Sequence, residues 1–358
     1  MPVPNALLFA ATIAFSIVVS VLPVDAQTET KTSSARSPFE GRWAFQLPDQ
    51  NVGWLHLMQD DQGEWSGSLL WSVGNARPLK SIKAEDSRLL IQRPIRWKPG
   101  GGEVQKFINQ PIVCELDGQQ LTMMVAQSWK QIQKAELETY RLSAKRISEP
   151  PPKPDLKTLK FGEPIQLFSG DDLSGWKLSR ENKKNGWRAD NGELVNETPK
   201  KDFGAYGDFG NLITERNFQD FELSIEYNVS KGGNSGIYLR GMYEAQVVDR
   251  DSKMQGIQGP GAIFGRIKPS ENAANPGGQW NRYVITLAQR HITVVLNGKK
   301  VIDNQLLEGP TGGGILSHDD QPGPIFLQGD HTSIRYRNIV LRPIEDESST
   351  IGSDRDRQ

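Results

Sequence analysis

Short runs in which apolar and polar residues alternate cover most of this chain. FELSIEY at 221–227 is one such run, and others lie at 283–287 and 291–296. Alternation with a period of two places successive side chains on opposite faces of a strand, so each run predicts a half-buried β-strand. Turn signals such as Asn297-Gly298 separate the runs, and no segment keeps a helical period. The pattern predicts an all-β protein.

Two groups of predicted strands lie on either side of a proline-rich stretch, SEPPPKP. The runs between 38 and 147 predict a small antiparallel barrel or sandwich, and the Gly-x-Trp opening at Gly41 is similar to calycin-like barrels. Residues 148–158 predict a stiff, extended linker. The strands expected over 159–344 favour a two-sheet jelly roll.

Both ends of the chain differ from these domains in composition. An apolar run from Ala6 to Leu22 precedes a small-residue cleavage site ending at Ala26, which predicts a signal peptide over 1–26. No Lys or Arg precedes the run, unlike in an ordinary signal peptide. The alternative is an uncleaved membrane anchor, since the run is nearly long enough to span a membrane. Either way we expect export to the periplasm or out of the cell. Residues 27–37 and the tail 345–358 are predicted to be disordered.

Composition narrows the possible partners and chemistry. The chain carries 42 Lys and Arg against 43 Asp and Glu, without a polybasic block, so we expect no nucleic-acid partner. Its single cysteine, Cys114, excludes an intrachain disulfide, and we expect it in the core. The run 312–314 is three glycines and predicts a flexible turn rather than a phosphate loop. The sequence requires no cofactor, and it leaves open a divalent cation such as Ca²⁺ or Mn²⁺.

Candidate chemistry is concentrated in one predicted hairpin, GGNSGIYLRGMYEAQVVD at 232–249. With a period of two, Tyr238 and Arg240 share one face, and Glu244 and Gln246 project together on the next strand. Arg presents a planar cationic fork that suits a substrate oxygen or a carboxylate. This row of polar groups suggests a binding cleft, and the alternative is a solvated strand face held by structural hydrogen bonds.

Asp249 joins this row only if its strand is irregular. Strict alternation turns Asp249 away from Glu244, whereas a β-bulge around Val247-Val248 would return it to the same face. Curved jelly-roll sheets carry sugar-cleaving carboxylates on the concave face in this way. We therefore treat Asp249 as a substrate-binding candidate.

Further candidates lie at the ends of the predicted strands. His331 stands beside Asp330 before the last strand, where it suits acid/base chemistry or metal ligation, although a surface histidine is the alternative. Substrate binding is predicted for a set of polar residues in the same region: Gln246, Asp249, Tyr238, Asn234, Ser235 and Gln328.

Over about 164–343 the chain resembles the 3-keto-disaccharide hydrolase domain family. The motifs that carry the resemblance are LFSG and LSGW within 167–176, NGEL at 191–194, NSGIYLRG at 234–241, YEAQVVD at 243–249, LQ at 327–328 and RNI at 337–339. The resemblance implies a concanavalin-like jelly roll and an enzyme that acts on glycosides oxidised at C3. The first domain lies outside it.

The resemblance also implies a reaction. A ketone at C3 acidifies the C2 proton, a carboxylate removes it, and the enolate expels the C1 leaving group before water adds. On this interpretation Glu244 is the base or its partner, and Arg240 and Gln246 bind the ketone or enolate. His331 is a proton donor or metal ligand. Asp249 orients Arg240 or holds a cation.

Two other functions stay open. A laminarinase-like retaining glycosidase needs two carboxylates about 5 Å apart on a Glu-x-Asp-x-x-Glu strand, but here Gln246 and Asp249 replace the second and third acidic residues. A non-catalytic carbohydrate-binding module is the second, because jelly rolls of this type serve as lectins. The expected partner of the enzyme is an oxidised sugar or glycan, and a membrane is a partner only if 1–26 is not cleaved.

Overall fold

Antiparallel strands supply nearly all of the regular structure in the computed structural model. It describes residues 37–85, 87–97, 106–126, 139–199, 208–317 and 319–345. These ranges hold one turn of 3-10 helix, Gly256–Gln258, and no α-helix, which confirms the all-β prediction. Within them no helix is long and apolar enough to cross a membrane. The predictions for 1–26, for most of the spacer and for the tail after 345 lie outside the described residues.

The N-terminal sheet contains nine strands: β1 (Gly41–Gln46), β2 (Val52–Gln59), β3 (Trp65–Trp71), β4 (Arg77–Pro78), β5 (Ile82–Glu85), β6 (Arg88–Trp97), β7 (Lys106–Asp117), β8 (Gln120–Ala126) and β9 (Thr139–Arg146). Their order is β4-β3-β2-β1-β9-β8-β7-β6-β5, and all neighbours are antiparallel. The sheet curls until β3 and β5 approach each other, so we call it the barrel.

Alternate side chains of these strands form the barrel core. Trp43, Leu55, Leu57 and Ile91 are fully buried there. Cys114 lies in the same core, and burial raises the pKa of its thiol to about 12. A thiol held in its neutral form suits packing rather than nucleophilic chemistry, as the sequence predicts.

The C-terminal domain packs two sheets face to face. The larger sheet contains β10 (Ile165–Gln166), β12 (Trp187–Asp190), β13 (Glu193–Asn196), β15 (Phe221–Val229), β18 (Trp280–Ala288), β19 (His291–Leu296), β20 (Lys299–Leu306) and β22 (Ile334–Pro343). The smaller contains β11 (Trp176–Leu178), β14 (Leu212–Thr214), β16 (Asn234–Leu239), β17 (Tyr243–Val248) and β21 (Phe326–Leu327), in the order β11-β14-β21-β16-β17. This is the predicted two-sheet jelly roll.

The hydrophobic core lies between these two sheets. Strand β15 alternates strictly between buried and partly exposed residues, and its inward side chains Phe221, Leu223 and Ile225 are fully buried. Ile237 and Leu239 of β16 belong to the same cluster. The core therefore occupies one face of β16 and leaves its other face to polar side chains.

The linker follows the surface of the C-terminal domain. The Ser148 hydroxyl donates to the Asp319 carboxylate at 3.0 Å, and Asn304 Nδ2 donates to the Pro154 carbonyl at 2.9 Å. The described residues between Ser37 and Glu345 belong to one compact unit that includes both the barrel and the jelly roll.

Candidate active site

Strands β16 and β17 form the predicted hairpin, which we call the site hairpin. Its register pairs Tyr238 with Glu244 and Gly236 with Gln246. The residues between them, such as Ala245, belong to the hydrophobic core. Glu244 and Gln246 therefore project together on the face away from the core, as the alternation predicts.

Small and aromatic neighbours fix the position of the Glu244 side chain. A Cβ atom on Gly236 would overlap the Glu244 carboxyl, so the missing side chain lets that carboxyl lie across β16. Tyr238 stacks on Phe326 of β21 with ring centroids 4.4 Å apart. The Tyr238 hydroxyl also lies close enough to the Glu244 carboxyl to lower its pKa. The carboxyl is thus held between a glycine and a fixed phenol.

Glu244 is an acid with an unusual protonation equilibrium. Its side chain is only 4% exposed, and burial raises its pKa from the ordinary 4.5 to about 8. The neighbouring Tyr238 hydroxyl opposes this shift, and the negative charge of Asp330 adds to it. A carboxyl whose pKa lies near the working pH can both accept and return a proton.

Residues 309–316 cover the site hairpin, and we call them the cover segment. The Thr311 hydroxyl accepts a hydrogen bond from the Glu244 amide at 2.9 Å, and the Tyr238 hydroxyl donates to the Gly312 carbonyl at 3.0 Å. The run 312–314 does make a turn, but it packs against Tyr238 instead of moving freely, because a Cβ on Gly313 would overlap that hydroxyl. The glycines are required by this close approach.

Three amide oxygens near Glu244 lack a hydrogen-bond donor among the described residues: Asn234 Oδ1, Gln246 Oε1 and Gln328 Oε1. Gln246 Nε2 donates to the Gln258 carbonyl at 3.1 Å, which fixes which end of that amide is the oxygen. The backbone N–H of Gln328 donates to the Gly236 carbonyl, so Gln328 lies beside the site hairpin. A buried acceptor without a donor costs about 1–3 kcal/mol. A ligand rich in hydroxyl groups would recover this energy.

His331 and Asp330 lie at the more exposed side of this site. His331 Nδ1 is 2.7 Å from Asp330 Oδ1, and both side chains are partly exposed. The Asp330 charge is close enough to Glu244 to act on its pKa. The structure thus brings His331, Glu244, Tyr238 and the three amides into one region.

Arg240 does not join this group. It is fully buried, and its Nη2 donates to the carbonyl oxygens of Asp319, at 2.8 Å, and Gln321. Its charge acts on the Tyr243 hydroxyl, whereas the Glu244 pKa responds to Tyr238 and Asp330. The backbone of Arg240 has φ +54° at the hairpin turn. This left-handed residue ends the strand alternation that predicted Arg240 beside Tyr238.

Asp249 also points elsewhere, because the predicted bulge does not form. Pairing within the site hairpin runs without a shift from Asn234–Val248 to Leu239–Tyr243. Asp249 Oδ2 accepts from the Gly232 amide at 2.7 Å, and Oδ1 accepts from the Gly277 amide at 3.1 Å. The carboxylate therefore ties two loops together.

Ser235 faces the core and not the site. Its hydroxyl donates to the Gln328 carbonyl at 2.7 Å and lies 2.9 Å from the Tyr336 hydroxyl. Odd-numbered residues of β16 share this core face, so alternation separates Ser235 from its neighbour Asn234.

We expect Asp249→Ala to lower the free energy of unfolding by about 2–4 kcal/mol, because buried backbone donors would lose their acceptor. Urea unfolding measures this loss. Asp303→Ala is the control: Asp303 pairs with Lys300 on the surface, and its loss is expected to cost less than about 1 kcal/mol. An unchanged stability together with lost turnover would instead make Asp249 a substrate-binding group.

The described side chains around Glu244 do not form a ligand set for a divalent cation. No three His, Cys, Asp or Glu side chains of the described ranges cluster closely enough to hold a metal ion. The groups around Glu244 are a phenol and amides, whereas Ca²⁺ and Mn²⁺ prefer sets rich in carboxylate oxygens. The donor set does not fit such an ion, so we derive no step through one.

Sequence patterns did not single out Thr311 and Gln258 as parts of the site. Thr311 lies in a loop and Gln258 in the 3-10 turn, where no period of two applies, and they contact Glu244 and Gln246 through bonds that span 67 and 12 residues. The sequence carried only a weak indication that Asp330 is part of the site, namely its position directly before His331.

Known proteins give the following comparisons. The 3-keto-alpha-glucoside-1,2-lyase-like domain matches residues 163–342. The 3-keto-disaccharide hydrolase of Bacteroides thetaiotaomicron is 26% identical over 169 residues, which cover 40% of this chain and 58% of that relative.

Two solved structures are also similar. A provisionally named glycosyl hydrolase of Parabacteroides distasonis is 28% identical, with a TM-score of 0.41 over 55% of this chain and 94% of its own. SCLam, a non-specific endo-beta-1,3(4)-glucanase of family GH16, is 15% identical, with a TM-score of 0.34 over 55% of this chain and 94% of its own. Because the family match spans half of the chain, the protein belongs to the 3-keto-alpha-glucoside-1,2-lyase-like domain family.

Proposed function

We propose that this protein cleaves 3-keto-glycosides by removing the C2 proton, eliminating the C1 leaving group and adding water. Family membership and a relative named 3-keto-disaccharide hydrolase support this substrate class. The observation that carries the proposal is the buried Glu244, whose pKa of about 8 sets it apart from a surface carboxylate. The predicted signal peptide over 1–26 would place the reaction outside the cytoplasm.

Glu244 is the proposed base. Its carboxylate takes the proton from C2, and the electron pair of the broken C–H bond enters the enolate with the C3 oxygen. Burial makes this carboxylate a stronger base than one in water, because the charged form lacks hydration. The missing side chain of Gly236 and the paired Tyr238 fix the place of the carboxyl.

The amides supply contacts to the sugar. Each amide has N–H donors for the C3 oxygen and an acceptor oxygen for a hydroxyl group. The buried Oε1 atoms of Gln246 and Gln328 have no donor in the described part of the chain, which suits sugar hydroxyls. N–H groups aimed at the C3 oxygen would stabilise charge that develops in the enolate.

His331 is the proposed acid. Asp330 accepts a hydrogen bond from Nδ1–H of the ring. A protonated ring then presents its second N–H group, at Nε2, to the substrate. That proton would go to the leaving oxygen as the C1–O bond breaks and the C1–C2 double bond forms. Water then adds at C1 and gives one proton to the neutral His331, and the protonated Glu244 returns its proton to C2. Atoms balance as a net hydrolysis.

The arrangement gives less support to a laminarinase-like glycosidase. That mechanism needs a second carboxylate about 5 Å from the first. Gln246 occupies the adjacent position on the strand, and the Asp249 carboxylate is bonded to loop amides. Asp330 is the carboxylate whose charge reaches Glu244, and it is bonded to His331.

The proposal is tested with two p-nitrophenyl glucosides, one oxidised at C3 and its unoxidised counterpart. We expect the protein to release p-nitrophenol from the 3-keto compound at least about 100-fold faster, because only the ketone acidifies C2. Equal release from both would favour an ordinary glycosidase. Binding of either glucoside without release would favour a carbohydrate-binding module.

A further inference from the structure

We propose that the barrel is a working part of the catalytic site and that its residue Asn75 is a positioning residue for Gln246. This inference rests on the proposed function and assigns a role to the domain that lies outside the family match. It makes the substrate site a product of both domains rather than of the jelly roll alone.

The cover segment contacts the barrel as well as the site hairpin. The Val52 amide donates to the Gly314 carbonyl at 3.2 Å, and the Gly313 amide donates to the Ser72 carbonyl at 2.8 Å. The same segment binds Tyr238 through the Gly312 carbonyl. One short stretch of backbone thus links barrel strands to the phenol that holds Glu244.

The fit between the two domains leaves no room for side chains at three glycines of the jelly roll. A Cβ on Gly309 would overlap the indole of Trp54, and one on Gly312 would overlap the backbone of Gly74. A Cβ on Gly265 would come 2.6 Å from Asn75 Oδ1. Real Cβ atoms do not approach other atoms this closely, so the barrel docks in one defined register.

Two consecutive hydrogen bonds connect the barrel to Gln246 in the site. Asn75 Oδ1 accepts from Gln258 Nε2 at 3.1 Å, across 183 residues of sequence. The carbonyl of Gln258 then accepts from Gln246 Nε2 at 3.1 Å. Gln246 keeps its Oε1 free of donors among the described residues, and this is the atom proposed for a sugar hydroxyl.

The consequence is a specific role for one barrel side chain. Without the acceptor at Asn75, the turn Gly256–Gln258 loses this hydrogen bond to the barrel. The Gln258 carbonyl is then less well fixed, and the Gln246 amide with it. Substrate binding should weaken more than the proton transfer at Glu244, which depends on Tyr238 and on burial.

The test compares Asn75→Leu with Asn75→Asp in the full-length protein, with the 3-keto-glucoside as substrate. Asp keeps an acceptor oxygen at the same place, whereas Leu has similar size and none. We expect Asn75→Leu to raise KM about tenfold, because roughly one hydrogen bond is lost. The kcat of this variant should stay within about threefold of wild type. Asn75→Asp should keep KM within about twofold. Asn109→Leu, at an exposed barrel position, is the control for general destabilisation.

A second set of variants keeps the inference testable if Asn75→Leu folds poorly. Gln258→Leu removes the donor of the same bond, and the double variant should lose no more than either single variant. Additive losses, an unchanged KM in Asn75→Leu, or equal damage from Leu and Asp would each overturn the inference while leaving the proposed function in place. A wild-type protein that does not cleave the 3-keto-glucoside would overturn both.

Discussion

Glu244→Gln is expected to lower kcat on a 3-keto-glucoside by about 10²–10⁴-fold, the range in which a general base contributes. Gln keeps the shape of the side chain and can still lie beside Tyr238, but it cannot take a proton from C2. KM should change by less than about fivefold, because the amides that face the sugar are untouched. Steady-state kinetics with the purified variant measures both constants.

The matched control for this variant is Glu226→Gln. Glu226 also lies on a strand and is partly buried, but it pairs with Arg337 on the larger sheet. We expect kcat in this control to stay within about twofold of wild type. If Glu244→Gln retained wild-type turnover, Glu244 would not be the base, whatever the substrate.

The same substitution is expected to change how stability depends on pH. The Glu244 pKa is about 8 in the folded protein and near 4.5 in an unfolded chain, so between these values the folded state binds one proton more. The free energy of unfolding therefore falls by about 1.4 kcal/mol for each pH unit in this window. Gln does not titrate. The free energy of unfolding of Glu244→Gln, relative to that of the wild type, should therefore rise by about 3 kcal/mol between pH 5 and pH 7.5.

Urea unfolding of both proteins at pH 5 and pH 7.5 measures this gain. The other titrating groups are shared, so their contributions cancel in the difference between the proteins. A difference that does not change with pH would show that the Glu244 pKa is ordinary in the folded state. That result would remove the physical reason for the base role.

The sequence predicts those parts of the site that lie within strands. Tyr238, Glu244 and Gln246 share a face because a period of two holds wherever backbone pairing is regular. Their burial was not predictable, since it comes from the cover segment, which bonds to the Glu244 amide from 67 residues away.

The incorrect expectations concern residues at strand ends. Arg240 adopts a positive φ, and its guanidinium follows the turn toward Asp319. Asp249 follows a strand that keeps its register, so its carboxylate meets loop amides. In each case the side-chain direction depends on one backbone torsion or one possible bulge, which residue type alone does not determine.

Domain docking was the other feature beyond the reach of sequence patterns. The two groups of strands and the proline-rich linker were visible in the composition, and the structure has one sheet system on each side of the linker. The bond from Gln258 to Asn75 spans 183 residues, and no periodicity relates the two segments that it joins.

The most direct test of the elimination mechanism is the fate of deuterium at C2. A 3-keto-glucoside deuterated at C2 would be cleaved in ordinary water, and the C2 position of the product would be followed by mass spectrometry, with product incubated without enzyme as the blank for spontaneous exchange. Because the C2–H bond must break before the leaving group departs, the proposed reaction predicts slower release of the leaving group from the deuterated than from the protonated substrate. Deuterium is lost from C2 beyond the blank to the extent that the Glu244 carboxyl exchanges with solvent before it returns a proton. Full retention of deuterium at C2, with equal rates for both substrates, would contradict proton removal by Glu244.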